Sequence, residues 1–599
     1  MRFRPWSLPK SRAASRPDSG RLRPQQVLVV CHGRDGHGLS IMENLCAGLE
    51  FAHVSFSVLD LGRAASWPDL SVFDAIVTCT EEMSRIGEEQ AESIRNHVLG
   101  GGGLMAAYRC APDSLRDVLG LAAVDGRHPF HVTHGLSFDG DLFPGIRGLA
   151  IGEEDWPFEH DRLALDRGDL AAGAVVLMSD GAGQPVAWRH RHGAGKVVFW
   201  NTGILFSRAL RGLGVQSILD TMRVGVSAAG GFAMFHVDDF PPSIASIRPE
   251  PIASEFPELD WTSFAFDIWQ HDIRQLAARH GISCTWYAVM DYNDVDNRAE
   301  ADRPIWTAAD GERVLAQRFA RTGSDPLDDE YGFHGYNHDP LTAAAWPDLE
   351  LLRVKLTQAR ALWQAGVPAP MPTSWVPANN WYHPEHVRIL KGVFPEIAAV
   401  CGLFSMGDAA LGEFREFGPE PWEPALLCLP RETYGYVRTP ALAMLMLSQI
   451  AGMGVWTHFI HPDDVIDIPV DGTDASYCRN PDRRMWRSPN PDGKAGLLTE
   501  LDRWLADVRS TFPWLDFLTT SQAVAAYQTH IRKDVSILVS KDAIRISSSA
   551  LGHFFIRTDE GLAIESQDGC RVVSCMAGEG YRLHVVKCEK AVATLRIEA

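Results

Sequence analysis

No segment of the chain is apolar for long enough to cross a bilayer. The longest such run, ALAMLMLSQIAGMGVW at 441–456, carries Gln449 and falls short of the roughly 20 residues a spanning helix needs, so it reads as a buried helix leading into a strand. A cysteine framework is missing too. Eleven cysteines, an odd number scattered without paired spacing, do not make the disulfide lattice of a small secreted domain, and a reducing cytoplasm is the expected compartment. Positive charge is short as well: 56 Lys and Arg stand against 76 Asp and Glu, a net charge of -20. That balance argues against a broad nucleic-acid-binding face and against attraction to an anionic membrane. The first 24 residues run the other way, with seven Lys or Arg and one Asp. They have no apolar centre of the kind a secretory signal carries and read as a disordered basic tail.

What is present is 599 residues, too many for one hydrophobic core and enough for three or four domains. From 25 to 228 short apolar runs alternate with helical intervals: QQVLVVCHG, FDAIVTCT, GGGGLMAAYR and KVVFWNTG. Strands that alternate with helices imply an α/β layer domain of flavodoxin-like type. From 229 to 529 the α/β units lengthen. Leu349, Leu352, Leu356, Ala359 and Trp363 keep a three-four spacing, as do Leu497, Leu501, Trp504, Leu505 and Val508, which predicts two helices with one buried stripe each. Repeated units of this length predict a distorted (β/α) barrel. After 530 the pattern shortens to alternating runs divided by turn residues, and a small β-sandwich is expected over 530–599.

The chemistry concentrates at three places in the middle domain where a strand has just ended. FHVDDFPPS at 235–243 sets Asp238 beside Asp239; FHGYNHDP at 333–340 carries His334 and His338; THFIHPDD at 457–464 carries His458 and His461. Two adjacent carboxylates repel unless a cation or a proton compensates. In parallel α/β folds the carboxyl ends of the strands converge on one face, so these three places are expected to meet. Two imidazoles and a carboxylate make an open three-ligand set for a divalent ion of zinc type, and the second aspartate is then free to act as a base.

The ordered set HVDDFP, HGYNH, WVPANN and FIHPDD resembles the metal-dependent polysaccharide deacetylase superfamily over about residues 230–528. The resemblance implies removal of acetyl groups from N-acetylated sugars on a distorted barrel, with Asp238 as general base, Asp239, His334 and His338 as ligands of one zinc-type ion, and His461 as general acid, His458 being the reserve for that role. It also implies an acetylated amino-sugar polymer or oligomer as substrate and exopolysaccharide-synthesis proteins as partners. Members of that superfamily commonly carry an arginine two residues before the proline of the third motif, where this chain has Trp375; Arg431 in LPRETYGY is the expected substitute from another strand end. The first domain resembles class I glutamine amidotransferase-like and trehalose-utilisation-like domains in GGGGLMAAYR and HGAGKVVFWNTG. It lacks the Gly-x-Cys-x-Gly elbow that presents a nucleophile, so Cys110 is expected to be inert and the domain non-catalytic. Two alternatives remain open on sequence: a glycosidase on a similar barrel using Asp238 and Glu432, and an inactive polysaccharide-binding or assembly protein.

Overall fold

The computed structural model describes residues 20–64, 66–122, 129–155, 159–291, 319–320, 329–405, 415–470, 475 and 478–598. They form two compact units. One takes the chain up to Gly230, then Leu447–Gly454 and Ile531–Ala599; the other takes Gly231–Met446 and Val455–His530.

In the first unit the strands Val27–Cys31, Ala75–Thr78 and Gly103–Ala106 lie parallel, with Phe56–Asp60 outside the first of them and Gly195–Trp200 beside the third. Counted along the chain, these five run in the order 2-1-3-4-5, that of a flavodoxin-like sheet. Val27–Cys31 and Ala75–Thr78 are buried at every position. Strands covered on both faces read as unbroken apolar runs rather than alternations, which is why they could be found in the sequence.

The C-terminal segment does not stand alone as a sandwich over 530–599. One of its two sheets is completed by Val224–Ala229, which pairs antiparallel with Gly552–Asp559; the other takes in Arg23–Pro24, which pairs with Val539 and Leu538. Val226, Ala228, Ile544, Phe554, Val586 and Leu595 share one core between the two sheets. The β segment cannot close its core without a strand from before Gly230. Buried charge reinforces this. Asp220, on the helix Arg211–Thr221, receives Arg557 from the strand Gly552–Asp559 and Arg189 from the antiparallel edge of the α/β sheet, each at 3.1 Å. Of the expected basic tail, residues 1–19 lie outside the described ones, while Arg23 and Pro24 belong to a sheet rather than to a disordered arm.

The second unit is one curled, mainly parallel sheet. Its order is Gly418–Glu420, Glu423–Cys428, Ala399–Val400, Ser374–Trp375, Glu330–Gly335, Cys284–Val289, Phe232–Phe240, Val455–Ile460, Thr433–Tyr434. Between the two ends of that order, Leu429 and Arg431 donate to the carbonyls of Val400 and Gly402, while Glu432 donates to Thr457. The segment 429–434 therefore bridges the sheet's margins, and the curl carries Arg431 round to the edge where Phe232–Phe240 ends. Of the predicted stripes, Leu497, Leu501, Trp504, Leu505 and Val508 are all buried. Leu352, Leu356, Ala359 and Trp363 are buried likewise, whereas Leu349, the first helical residue after the N-cap Asp348, is exposed. The helix Gln270–His280 stops at Gly281, whose left-handed φ of 61° suits a residue without Cβ.

Candidate metal centre and acid-base pair

Phe232–Phe240 runs parallel between Cys284–Val289 and Val455–Ile460, with Val237 level with Ile460. Asp238, Asp239 and His461 therefore leave the sheet on one edge. Against Cys284–Val289 the register slips between Val237 and Phe240, and Asp239 takes a left-handed φ of 53°. A bulge at a strand end re-aims side chains, and here it separates the surroundings of two carboxylates that are neighbours in sequence.

Asp239 Oδ1 lies 3.5 Å from His334 Nε2 and 3.3 Å from His338 Nε2, and the two imidazole rings stand at 75° with centroids 4.9 Å apart. His334 Nδ1–H donates to the Val376 carbonyl at 2.8 Å. That bond fixes the tautomer and leaves the Nε2 lone pair aimed at the cluster, as a backbone carbonyl does for histidines that bind metals. Burial pushes the His334 ring down to about 4, so it stays neutral. Asp239 Oδ1 and His334 Nε2 are buried, and among the described residues neither has a hydrogen-bond partner. A bare carboxylate oxygen facing a bare imidazole lone pair is costly without a cation between them. The donor set is one carboxylate and two imidazoles with a side left open, and it fits a zinc-type ion.

Asp238 is built differently. Arg431 Nη1 donates to its Oδ2, and both side chains are about 1 % exposed. Arg431 Nη2 donates to Asn380 Oδ1, and the guanidinium lies 3.8 Å from the centre of the Phe459 ring. Burial opposes ionisation of Asp238, but Arg431, with His334 and His461, outweighs it and holds the carboxyl well below the usual carboxylate range. His461 Nε2 faces the same Oδ2 at 3.5 Å, while its Nδ1–H donates to Asp464 Oδ1 at 3.1 Å. Arg479 donates to that same Asp464 oxygen at 2.7 Å. Burial and the Arg479 charge push His461 down, yet Asp464 and Asp238 prevail and raise it. Asp238 and His461 thus stand against one another beside the cluster of Asp239, His334 and His338.

Five of the six residues singled out from sequence meet here. His458 does not: its Nε2–H donates to Gly435 O at 3.0 Å, its Nδ1 lies 2.9 Å from Thr433 Oγ1, and its ring packs against Trp456 and Trp504. It sits within its strand and is a satisfied core histidine. Glu432 is buried as well, its carboxylate receiving Ser405 through both Oγ and the backbone N–H. Trp375 packs on Tyr382 inside the core. Asn380, Asp464 and Arg479 were not assigned roles from sequence. Asp464 lies within a quoted motif, but Arg479 is 18 residues beyond His461 in a segment with no distinguishing pattern. Among the described residues His383, Glu385 and His386 also cluster, but His383 Nδ1 already accepts the Ala343 N–H, and its other nitrogen then carries the proton. In the first unit Cys110 donates to the Glu81 carbonyl at 3.1 Å, and burial pushes its thiol up to about 12, far from a reactive thiolate. Among the described residues no helix is long and apolar enough to cross a membrane.

The model of a family described as "Uncharacterised protein conserved in bacteria (DUF2194)" matches residues 37–579, and the chain belongs to that family. No curated protein matches it. Among solved structures, the chain is similar to a "putative polysaccharide deacetylase" from Mycobacterium smegmatis at 15% identity and a TM-score of 0.28, covering 49% of this chain and 89% of that one. It is similar to a beta-galactosidase from Bacillus circulans at 17% identity and a TM-score of 0.23, covering 34% and 33%. A "putative thua-like protein" from Parabacteroides merdae aligns at 13% identity and a TM-score of 0.24, covering 33% and 89%. At TM-scores this low the functional reading stands on the site geometry.

Proposed function

We propose that this member of the bacterial family is a metal-dependent hydrolase that removes N-acetyl groups from an amino-sugar polysaccharide or oligosaccharide. The observation that carries the reading is the different surroundings of adjacent aspartates: Asp239 Oδ1 faces the imidazoles of His334 and His338, whereas Asp238 is held by Arg431 and faces His461. A zinc-type ion held by Asp239, His334 and His338 would, when bound, polarise the acetyl carbonyl and lower the pKa of a water. Asp238, kept ionised by Arg431, accepts the proton of the attacking water. His461, kept protonated by Asp464, delivers a proton to the leaving amine nitrogen, and the C–N bond breaks. Acid and base within reach of one atom suit an amide, whose nitrogen leaves only as the amine.

The test is metal analysis of the purified full chain together with acetate release from N-acetylhexosamine oligomers. About one equivalent of divalent ion and acetate release that a chelator abolishes are expected. Cleavage of the sugar chain without acetate, insensitive to chelator, would return the reading to a glycosidase. Tight binding of the oligomers without turnover, by metal-loaded protein, would make it a binding module.

A further inference from the structure

The third motif, WVPANN, lacks the arginine expected in it, and the cation arrives from a different strand end. What the motif contributes instead is Asn380. We infer that Asn380 is a positioning residue for the proposed reaction, holding Arg431 so that its guanidinium orients Asp238. The inference rests on the functional reading above.

Arg431 is buried, and its guanidinium is gripped at two places. Nη1 donates to Asp238 and Nη2 donates to Asn380 Oδ1. Among the described residues its buried Nε has no hydrogen-bond partner, and none of them adds a third bond there. The Phe459 ring against it is a flat face on which a guanidinium can slide and turn. An arginine can only donate, so the Asn380 side chain must present its oxygen, and that oxygen sets the rotation of the guanidinium about its stem. Without it, Arg431 keeps one bond and a sliding surface, and the carboxylate it holds gains freedom in the direction of attack. Sub-ångström placement of a base matters because a misplacement of about 1 Å can cost on the order of 10²-fold in rate.

The backbone is shaped to deliver this oxygen. Asn379 and Asn380 both take left-handed conformations, φ 53° and 57°, in the turn Ala378–Asn380. Asparagine tolerates that region better than most L residues. The exposed Asn379 side chain points away from this role, while Asn380 is half-buried.

The same geometry supplies an experiment that separates acceptor from backbone. Asn380→Gly deletes the acceptor at a position whose φ glycine prefers. Asn380→Asp keeps an acceptor oxygen. Asn379→Gly makes the same backbone change one residue earlier. With metal-loaded full chain and N-acetylhexosamine oligomers, Asn380→Gly is expected to lower kcat by about 10- to 100-fold with KM within about twofold and metal content unchanged. Asn380→Asp should recover most of the loss, and Asn379→Gly should behave as the parent. Parental kcat in Asn380→Gly overturns the inference, as does an equal loss in Asn379→Gly, which would make the effect one of backbone. A parent chain that binds metal and releases no acetate overturns the functional reading, and this inference falls with it.

Discussion

Replacing Arg431 by methionine leaves Asp238 as a buried carboxylate without its fixed cation. Both side chains are about 1 % exposed, so water cannot reach in to compensate, and breaking a pair this deep costs about 3–5 kcal/mol. His461, still facing the same oxygen at 3.5 Å, offsets part of the loss. The expected destabilisation is therefore at the lower end, about 3 kcal/mol. Methionine keeps the apolar stem but loses the guanidinium that lies against Phe459, so some packing is lost with the pair. Asp238→Asn alone strands the guanidinium instead and should cost a similar amount. The double variant removes both charges together, and pairs so removed are often nearly neutral. Its cost should be about 1 kcal/mol, far below the sum of the singles.

The assay is a double-mutant cycle in urea, with metal content held equal across the four proteins because a ligand bound to the native state shifts apparent stability. Two compact units can unfold in separate steps, so the transition to follow is the one Arg431→Met moves. Singles that add within about 0.5 kcal/mol, or a single Arg431→Met within that distance of the parent, would refute the view that this ion pair is a coupled, water-excluded unit.

Asp238→Asn should keep the metal and lose turnover by about 10²- to 10⁴-fold, while Asp239→Asn should lose metal and turnover together; elemental analysis and acetate release on both variants decide, and equal metal loss would mean the carboxylates share the ion. Cys110→Ser should leave metal content and any acetate release unchanged, and a loss of activity in folded protein would revive a nucleophile in the first unit. Burial pushes the Lys533 ammonium down to about 8 from its ordinary 10.5, so between those values the unfolded chain binds the extra proton and stability rises with pH; Lys533→Met should remove up to about 3 kcal/mol of that rise, and an identical pH profile would sink the assignment. A Cβ at Gly212 would stand 1.7 Å from the Ser448 carbonyl oxygen, so Gly212→Ala should destabilise the first unit by about 2–3 kcal/mol or more in thermal or urea unfolding, and a neutral result would mean that helix contact is loose.

Local signals carried much of this molecule. Apolar runs marked the strands covered on both faces, and the three-four stripes marked helices such as Leu497–Thr511, because each is a property of one segment and its own burial. The residues of the candidate site were legible for a related reason: His334, His338 and the Asp pair stand where strands end, and a strand end is visible in the chain itself. Arg431 was named as the substitute for the missing third-motif arginine, but its reach depends on the curl of the sheet, which brings together residues 193 positions apart. Nothing local to LPRETYGY records it. Val224–Ala229 misled in the opposite way. Its apolar run closes the 25–228 segment in the sequence and carries no mark of a distant partner, whereas that partner is Gly552–Asp559, more than 300 residues on. His458 and His461 look equivalent in THFIHPDD, yet one lies inside Val455–Ile460, locked against Trp504, and the other is the first residue free of it.

The adjacent aspartates show why strand-end geometry rather than residue type assigns roles. A carboxylate taken out of water needs a positive partner. Asp238 has one built into the chain, Arg431, which helps hold its carboxyl well below the usual carboxylate range. Among the described residues no Arg or Lys forms an ion pair with Asp239. It faces His334, whose one ring proton is committed to the Val376 carbonyl, and His338. Pairs of like groups whose surroundings push them apart divide into different chemical roles. The bulge after Val237 and the left-handed turn at Asp239 are the physical means: without them two consecutive side chains of a strand would point to opposite faces, and only one aspartate could reach the edge where the histidines converge. One residue of register thus gives the two carboxylates of HVDDFP separate surroundings, Arg431 and His461 for Asp238, His334 and His338 for Asp239.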